Sequence, residues 1–98
     1  SVIAASASQA ELDAFETHQG VSLELVDVTD DASVARLFAS LGRLDGLVNC
    51  AGILRRHEEY EIEVFRQVIN VNLTGTMRCC LAARDLLARS GGSIVNTA

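Results

Sequence analysis

The sequence predicts an α/β fold built on a doubly wound parallel sheet. Short apolar runs alternate along the chain with longer segments of helical periodicity, and each run stops at small or polar residues. Proline is absent, so no residue interrupts the predicted helices and buried strands. The resulting order, β-α-β-α-β-α-β, is typical of parallel strands joined by right-handed crossovers. A chain of 98 residues accommodates one domain or part of one.

Composition narrows the class of protein. Hydrophobic residues make up 49% of the chain, more than a disordered segment carries, and aromatic residues only 4%, so we expect a packed, mainly aliphatic core. The net charge of -5, with no basic stripe, argues against a nucleic-acid partner. No apolar run reaches membrane length. Cys50, Cys79 and Cys80 cannot all pair, which favours free thiols in a reducing cytoplasm. We expect no bound metal.

The first predicted strand is the apolar run Val2 to Ala5. The hydroxyls of Ser6 and Ser8 then offer helix caps. A helix is predicted from Gln9 to Gln19, and Gly20 closes it.

Strand periodicity returns from Val21 to Val26, where apolar and polar side chains alternate. The segment Asp27 to Asp30 ends this strand and starts a helix, with Thr29 or Asp30 as its cap. Gly42 stops that helix. Its predicted buried stripe consists of Val34, Leu37, Phe38 and Leu41.

The third predicted strand, Leu44 to Asn49, leads into the most informative stretch of the chain. Its apolar residues give way abruptly to Asn49-Cys50-Ala51-Gly52. Open α/β sheets bind ligands at the carboxyl ends of their strands, and small residues there let the backbone approach a ligand closely. These residues predict the floor of a nucleotide site. An ordinary glycine turn after a strand remains the alternative.

A mostly polar connection from Ile53 to Glu59 precedes one long predicted helix, from about Tyr60 to Ala88. A turn at residues 90–92 and a last strand, Ser93 to Thr97, follow it. One helix face carries Val64, Val68, Val71, Ala82 and Leu86. Poor helix formers weaken its middle: Asn70, Asn72, Thr74 and Gly75.

Four motifs, in this order, resemble those of the short-chain dehydrogenase/reductase family. They are Asp27-Val28 after the second strand, the Asn49-to-Gly52 turn, Asn70-Val71-Asn72-Leu73 in the long helix, and Gly91 to Asn96. Together they cover nearly the whole chain. The resemblance implies that residues 1–98 are part of a single Rossmann-like NAD(P)-binding domain.

The resemblance also implies roles for individual residues. In the family the aspartate of the Asp-Val pair faces the adenine amino group, which falls here on Asp27 and its neighbour Val28. The turn implies that Asn49, Cys50, Ala51 and Gly52 line the adenosine half of the cofactor site, although Cys50 stands where the family usually has a second asparagine. Asn72 falls on the asparagine of the catalytic tetrad, whose backbone carbonyl holds a water in the proton relay to the catalytic lysine. A solvent-facing asparagine is the alternative for Asn72.

The choice of cofactor is made at the end of the first strand. An acidic residue there hydrogen-bonds the ribose 2′-hydroxyl and selects NAD. This chain has Ser6 at that place, which favours NADP slightly, but no lysine or arginine lies nearby in the sequence to bind a 2′-phosphate. The prediction is therefore NAD or NADP.

The loop after the Asn49-to-Gly52 turn contains Arg55, Arg56 and His57. The arginine pair suits a carboxylate-bearing substrate at the mouth of the site, and residues 51–56 are similar to the same place in the family's sugar-acid dehydrogenases. A solvated loop pair is the alternative for both arginines. His57 is predicted to be a solvated loop residue.

The long helix has a second apolar stripe, formed by Ile62, Phe65, Ile69, Leu73 and Cys80. A helix that is apolar on two faces is either deeply buried or shared with another subunit. Family members commonly pair this helix across a two-fold axis, so we expect a homo-oligomer, most simply a tetramer.

Several family motifs do not occur within these residues. They are the glycine-rich phosphate loop, the catalytic serine and the Tyr-x-x-x-Lys pair. The family's central first strand, which would separate Val2–Ala5 from Leu44–Asn49, is also missing. We therefore expect a longer parent chain, roughly 250 residues, a common size for one α/β domain.

The predicted function is hydride transfer between a nicotinamide cofactor and a small carbonyl or secondary-alcohol substrate. One alternative is a non-catalytic NAD(P)-sensing regulatory protein on the same fold, since fold does not fix function. A second is a sugar-nucleotide epimerase of the extended branch, which the short interval from Asp27 to Asn49 disfavours. The sequence does not identify the substrate.

Overall fold

The computed structural model describes residues 1–97 and has the predicted α/β architecture with parallel strands. Strand β1 (Val2–Ser6) pairs in parallel with β2 (Val21–Leu25), and Ser6 lies opposite Leu25 at their carboxyl ends. Strand β3 (Gly46–Asn49) pairs in parallel with β4 (Ser93–Asn96). All four strands therefore end on ligand-binding edges of the kind that α/β sheets use.

The four strands form two separate two-stranded sheets within the described residues. Strands β1 and β3 are not paired with each other there. The split falls where the family resemblance predicts a central strand between β1 and β3. That a further strand of a longer chain fills this position stays a prediction.

Helix α1 (Gln9–Ala14) is shorter than the predicted helix from Gln9 to Gln19. Phe15 already has an extended backbone, with ψ of 129°, and its N–H donates to the carbonyl of Leu12. The next residues do not favour continuation, because Glu16 opposes the helix dipole at a carboxyl end and Thr17 and His18 are modest helix formers. The predicted end of this helix is wrong for that reason.

Helix α2 (Asp31–Ala39) begins where the sequence predicts. The carboxylate of its N-cap, Asp30, accepts a hydrogen bond of 3.0 Å from the N–H of Ala32. Val34 and Phe38 of the predicted stripe are buried, with 2% and 8% of their surfaces exposed. The other two members of that stripe, Leu37 and Leu41, pack against the core while partly exposed.

The long helix begins at Ile62 and ends at Ser90, and its middle is not a regular α-helix. Helix α3 (Ile62–Ile69) continues through a π-helical turn (Asn70–Thr74) into helix α4 (Gly75–Ser90). The predicted start at Tyr60 is wrong by two residues, because Glu61 is extended and Tyr60 belongs to a short 3₁₀ turn, Glu58–Tyr60. The π turn coincides with the stretch of poor helix formers. At the other end Gly91 adopts a left-handed φ of 69° and stops the helix.

The core lies where α2 and α4 meet the carboxyl end of β2. Its buried members are Val26, Val34, Phe38, Cys79, Ala83 and Leu87. Cys79 packs as a small apolar residue, and burial raises the pKa of its thiol, which keeps it protonated. Within residues 1–97, no helix combines the length and apolarity needed to span a bilayer.

Candidate functional site

Asp27 follows β2 and presents an ionised, solvent-exposed carboxylate at the carboxyl edge of the sheet. Its Oδ1 accepts hydrogen bonds from the hydroxyl of Thr29 at 2.6 Å and from the N–H of Thr29 at 2.9 Å. The Thr29 hydroxyl, followed by the Thr29 N–H, lowers the pKa of Asp27. The Asp27 N–H in turn donates to Ser33 Oγ at 3.0 Å. The carboxylate is therefore fixed in orientation, and its second oxygen has no hydrogen bond within the described chain.

Val28 fixes the turn after β2 against the start of α4. A Cβ atom placed on Gly75 would lie 2.6 Å from Val28 Cγ2, so only glycine allows the two elements to approach this closely. The guanidinium of Arg78 adds a second tie, because Nη1 donates to the Val28 carbonyl at 3.1 Å. Val28 thus positions Asp27 through packing and a backbone hydrogen bond.

Arg78 connects three segments behind this turn. Besides the carbonyl of Val28, it donates from Nε to Asp31 at 2.6 Å and from Nη1 to Asn70 Oδ1 at 2.7 Å. Arg78 is not among the site residues that the sequence predicts. An arginine within the half-buried stretch around Cys79 was the available signal, because such a side chain needs several acceptors.

Asn49 closes the carboxyl ends of β3 and β4. Its side chain is buried, and Nδ2 donates to Asn96 Oδ1 at 2.8 Å and to Cys80 Sγ at 3.5 Å. Its carbonyl accepts from both the N–H and the hydroxyl of Thr97, each at 3.0 Å. Both amide hydrogens are used inside the protein, so this side chain serves the sheet. A cofactor contact by Asn49 stays a prediction.

The turn that follows Asn49 is exposed and is held in place by Asn72. Asn72 Oδ1 accepts from the Ile53 N–H at 2.7 Å, and its Nδ2 donates to the Ile53 carbonyl at 2.9 Å. The same Oδ1 would lie 3.4 Å from a Cβ on Gly52, so the amide packs directly on the turn. Cys50, Ala51 and Gly52 are thereby left on the surface with a fixed backbone. Their contact with a cofactor stays a prediction.

Asn72 itself lies inside the π-helical turn, where single extra residues often mark functional positions. Its carbonyl accepts from Thr76 Oγ1 at 3.3 Å. The predicted role of that carbonyl in proton relay remains untested. The two-point contact of the side chain with Ile53 was not predicted, because a pairing across 19 positions leaves no local pattern.

Ser6 ends β1, and its hydroxyl is engaged on both sides. It accepts from the Ser8 N–H at 3.1 Å and donates to the carboxylate of Glu11. A cofactor contact by Ser6 therefore competes with its hydrogen bond to Glu11, a partner that the sequence did not predict.

An open pocket lies beyond the Asn49-to-Gly52 turn, in the segment that follows it. Its lining consists of Arg56, His57, Glu59, Tyr60, Ile62 and Phe65. Arg55 is tied back instead through its backbone, because its N–H donates to Glu59 Oε1 at 2.8 Å. His57 has a left-handed backbone, with φ of 67°. Of the predicted arginine pair, the structure brings only Arg56 to a pocket.

The predicted site residues fall into two groups. Ser6, Asp27 and Val28 lie at the ends of β1 and β2, whereas the Asn49-to-Gly52 turn lies at the end of β3 with Asn72 packed against it. Helix α4 and the π turn link the groups through Gly75 and Arg78. Residues 1–97 contain no cluster of three or more histidine, cysteine or acidic side chains suited to holding a metal.

A family model described as enoyl-(acyl carrier protein) reductase matches residues 1–98 of this sequence. The short-chain dehydrogenase fogD of Aspergillus ruber is 37% identical over 84 residues, which is 79% of this chain and 29% of that protein. D-threitol dehydrogenase of Mycolicibacterium smegmatis is 34% identical over 85 residues, covering 83% of this chain and 33% of the relative. The chain thus spans about a third of the length of these curated relatives.

Solved structures agree with the sequence comparisons. The structure of ElxO with NADPH bound superposes with a TM-score of 0.80 at 29% identity, covering 96% of this chain and 43% of that one. The fold and the order of elements are therefore those of a Rossmann-like α/β domain.

Proposed function

Because this chain belongs to the short-chain dehydrogenase/reductase family, we propose that its protein is an NAD(P)-dependent oxidoreductase acting on a carbonyl or secondary-alcohol substrate. The cofactor would supply hydride transfer, while the protein binds, orients and polarises. The relatives named above are dehydrogenases, and a structural neighbour holds NADPH, so a nicotinamide cofactor is supported while the choice between NAD and NADP stays open.

One observation carries this proposal: Asn72 holds the small-residue turn at the end of β3 with two hydrogen bonds to Ile53. A fixed, exposed backbone without bulky side chains at a strand's carboxyl end is what a flat nucleotide needs. We assign Cys50, Ala51 and Gly52 to the adenosine side of the cofactor. Asn49 would support this turn indirectly, because its side chain donates a hydrogen bond to Asn96 in β4.

Asp27 would receive the adenine amino group. The carboxylate is ionised, oriented by Thr29 and open on one oxygen, so it is prepared to accept a hydrogen bond from an N–H donor. Val28 would fix the position of this carboxylate at the sheet edge, because Val28 packs against Gly75. Asn72 would contribute its carbonyl to the proton relay, the role that family membership implies for this position.

The pocket beyond the turn is our candidate for the substrate entrance. Arg56 supplies positive charge on its polar side, and Ile62 and Phe65 supply an apolar wall. An arginine in that setting suits a small substrate that carries a carboxylate.

We further propose a cytoplasmic homo-oligomer, most simply a tetramer. The three cysteines are free thiols, which suits a reducing compartment. Ile62, Phe65 and Leu73 of the second apolar stripe are all more than half exposed, which a subunit contact would relieve.

The proposed adenine contact can be tested by titrating the full-length protein with NAD and NADP. Asp27→Ala should weaken binding of the preferred cofactor by about 1–3 kcal/mol, the size of a lost charge-assisted hydrogen bond. Asp85→Ala removes an exposed acid on α4, remote from the strand ends, and serves as the matched control. Equal affinities of wild type and Asp27→Ala would remove Asp27 from the site.

Turnover is the second part of the test. Nicotinamide absorbance should change when the protein is mixed with cofactor and a panel of secondary alcohols, ketones and hydroxy acids. Binding of the cofactor without turnover of any of them would favour a sensor over an enzyme.

A further inference from the structure

The end of β1 carries a negative charge that does not belong to the strand itself. Ser6, the last residue of β1, donates its hydroxyl hydrogen to the carboxylate of Glu11 in α1. The carboxylate is thereby drawn to within hydrogen-bond distance of the strand end. In a nucleotide-binding α/β fold, an acid at this place accepts a hydrogen bond from the ribose 2′-hydroxyl.

The arrangement is a helix cap in which a second serine, Ser6, lies between the cap residue and the glutamate. Ser8 caps α1 by accepting from the Glu11 N–H at 3.2 Å. In the usual capping box the glutamate side chain returns to the N–H of the cap residue. Here the Ser8 N–H donates to Ser6 Oγ at 3.1 Å instead, and Ser6 passes its own hydrogen on to Glu11. The relay displaces the carboxylate from the helix end towards the ligand-binding edge of the sheet.

Ser6 keeps little capacity to bind a ribose directly. A hydroxyl has one hydrogen to donate, and Glu11 receives it. Glu11 Oε2 accepts that bond, while Oε1 has no hydrogen bond within the described chain and is open to a further donor. A ribose hydroxyl, which can donate, fits that oxygen, whereas a phosphate dianion does not.

The surrounding charge points the same way. Residues 1–35 contain no lysine or arginine, and the salt bridges of residues 1–97 do not include Glu11. Asp27 adds a second carboxylate at the end of the neighbouring strand β2. A 2′-phosphate placed here would meet two like charges. The guanidinium of Arg78 lies behind the turn after β2 and already donates to Val28, Asp31 and Asn70.

We propose that Glu11, held by Ser6, gives this protein a preference for NAD over NADP. This inference rests on the proposed function, because it presumes that a nicotinamide dinucleotide binds along this edge. It also differs from the slight preference for NADP that the serine at the strand end suggests when it is considered alone. The serine does not replace the missing acid. It positions one from five residues further along the chain.

The test uses the full-length protein and compares its dissociation constants for NAD and NADP. Wild type should bind NAD at least about tenfold more tightly than NADP, and Glu11→Gln should lose most of that ratio. Glutamine still accepts a hydrogen bond from Ser6, so α1 stays capped while the charge is removed. Glu16→Gln, the same charge change just beyond α1, should leave the ratio unchanged. Ser6→Ala, which releases the carboxylate, should lower the ratio in part.

The outcomes separate this inference from the proposed function. Tighter binding of NADP by wild type, or an unchanged ratio in Glu11→Gln, would overturn the inference and leave the oxidoreductase proposal intact. A fall in the ratio of equal size in Glu16→Gln would also overturn it, because the effect would then be one of net charge. Failure of wild type to bind either cofactor would overturn the proposed function, and this inference with it.

Discussion

At the scale of single residues, Asn72 has the largest structural consequence for the site. Its amide makes both hydrogen bonds that the Ile53 peptide offers, and it does so from a helix 19 residues away in sequence. The Asn49-to-Gly52 turn is therefore held at its end by the side chain of Asn72. This is a second task for Asn72, separate from the backbone role that family membership implies.

Replacing Asn72 by alanine should loosen the turn. The loss of two partly solvated hydrogen bonds should lower the free energy of unfolding by about 1–2 kcal/mol. The amide of Ile53 should exchange faster with solvent, and the affinity for the cofactor should fall. Hydrogen exchange and cofactor titration of the full-length protein measure both effects.

Gln67→Ala is the matched control, because Gln67 is exposed on the preceding helix α3 and its removal should change neither readout. Unchanged exchange at Ile53 in Asn72→Ala would show that the turn holds its position without this side chain.

At the scale of elements, the contact between α4 and the turn after β2 decides where Asp27 stands. Gly75 gives the space, Val28 fills it, and Arg78 ties the two segments together. Gly75 lies at the end of the π turn, where its N–H donates to the carbonyl of Asn70. The irregular helix therefore places Asn72 against the turn after β3 and Gly75 against the turn after β2.

Gly75→Ala should displace the turn after β2. The added methyl would overlap Val28 Cγ2, and overpacking of this kind costs about 1–3 kcal/mol in the free energy of unfolding. Alanine is otherwise the better helix former, so a loss of stability would report the contact and not helix propensity. Urea unfolding gives the stability, and cofactor titration should show weaker binding as Asp27 moves.

Gly42→Ala is the comparison, since a Cβ at Gly42 meets no atom within 4 Å. Equal stability of wild type and Gly75→Ala would mean that the two elements can separate at no cost, contrary to the packing described here.

At the scale of the whole molecule, a large apolar surface is exposed on residues 1–97. It includes the stripe on α3 and α4, and also strand side chains such as Val48 and Val95, which are more than half exposed. Parallel sheets are normally covered on both faces. The exposed strand faces and the division into two sheets support the expectation of further chain packed against them.

The helix stripe should join two copies of the protein. We expect light scattering at micromolar concentration to give a multiple of the subunit mass for the full-length protein. Leu73→Glu should reduce that mass, because a buried carboxylate without a partner opposes association. Arg36→Glu, a charge change on the exposed surface of α2, should leave it unchanged. A monomer mass for wild type would contradict the assembly proposed here.

Sequence periodicity determined the strands and the approximate helices, because both depend on neighbours within a few residues of one another. The alternation of strands with helices along the chain predicted the parallel class of the sheet. The buried stripe of α2 and the weak centre of the long helix were predictable for the same reason. The sequence did not predict that α1 ends at Ala14, because the residues after it disfavour a helix only weakly.

Only the tertiary structure decided which side chains act on each other. The hydrogen bonds of Asn72 to Ile53, the contact of Gly75 with Val28 and the hydrogen bonds of Arg78 to Val28 and Asp31 all join residues 19 or more positions apart. Ser6 and Glu11 are only five residues apart, and the Ser-x-x-Glu pattern at Ser8 predicts a helix cap. The sequence did not show that the Ser8 N–H donates to Ser6 Oγ and that the Glu11 carboxylate therefore accepts from Ser6. A local pattern specifies which partners are available, but the three-dimensional position of each donor and acceptor decides which bond forms. That choice determines the charge presented to a cofactor.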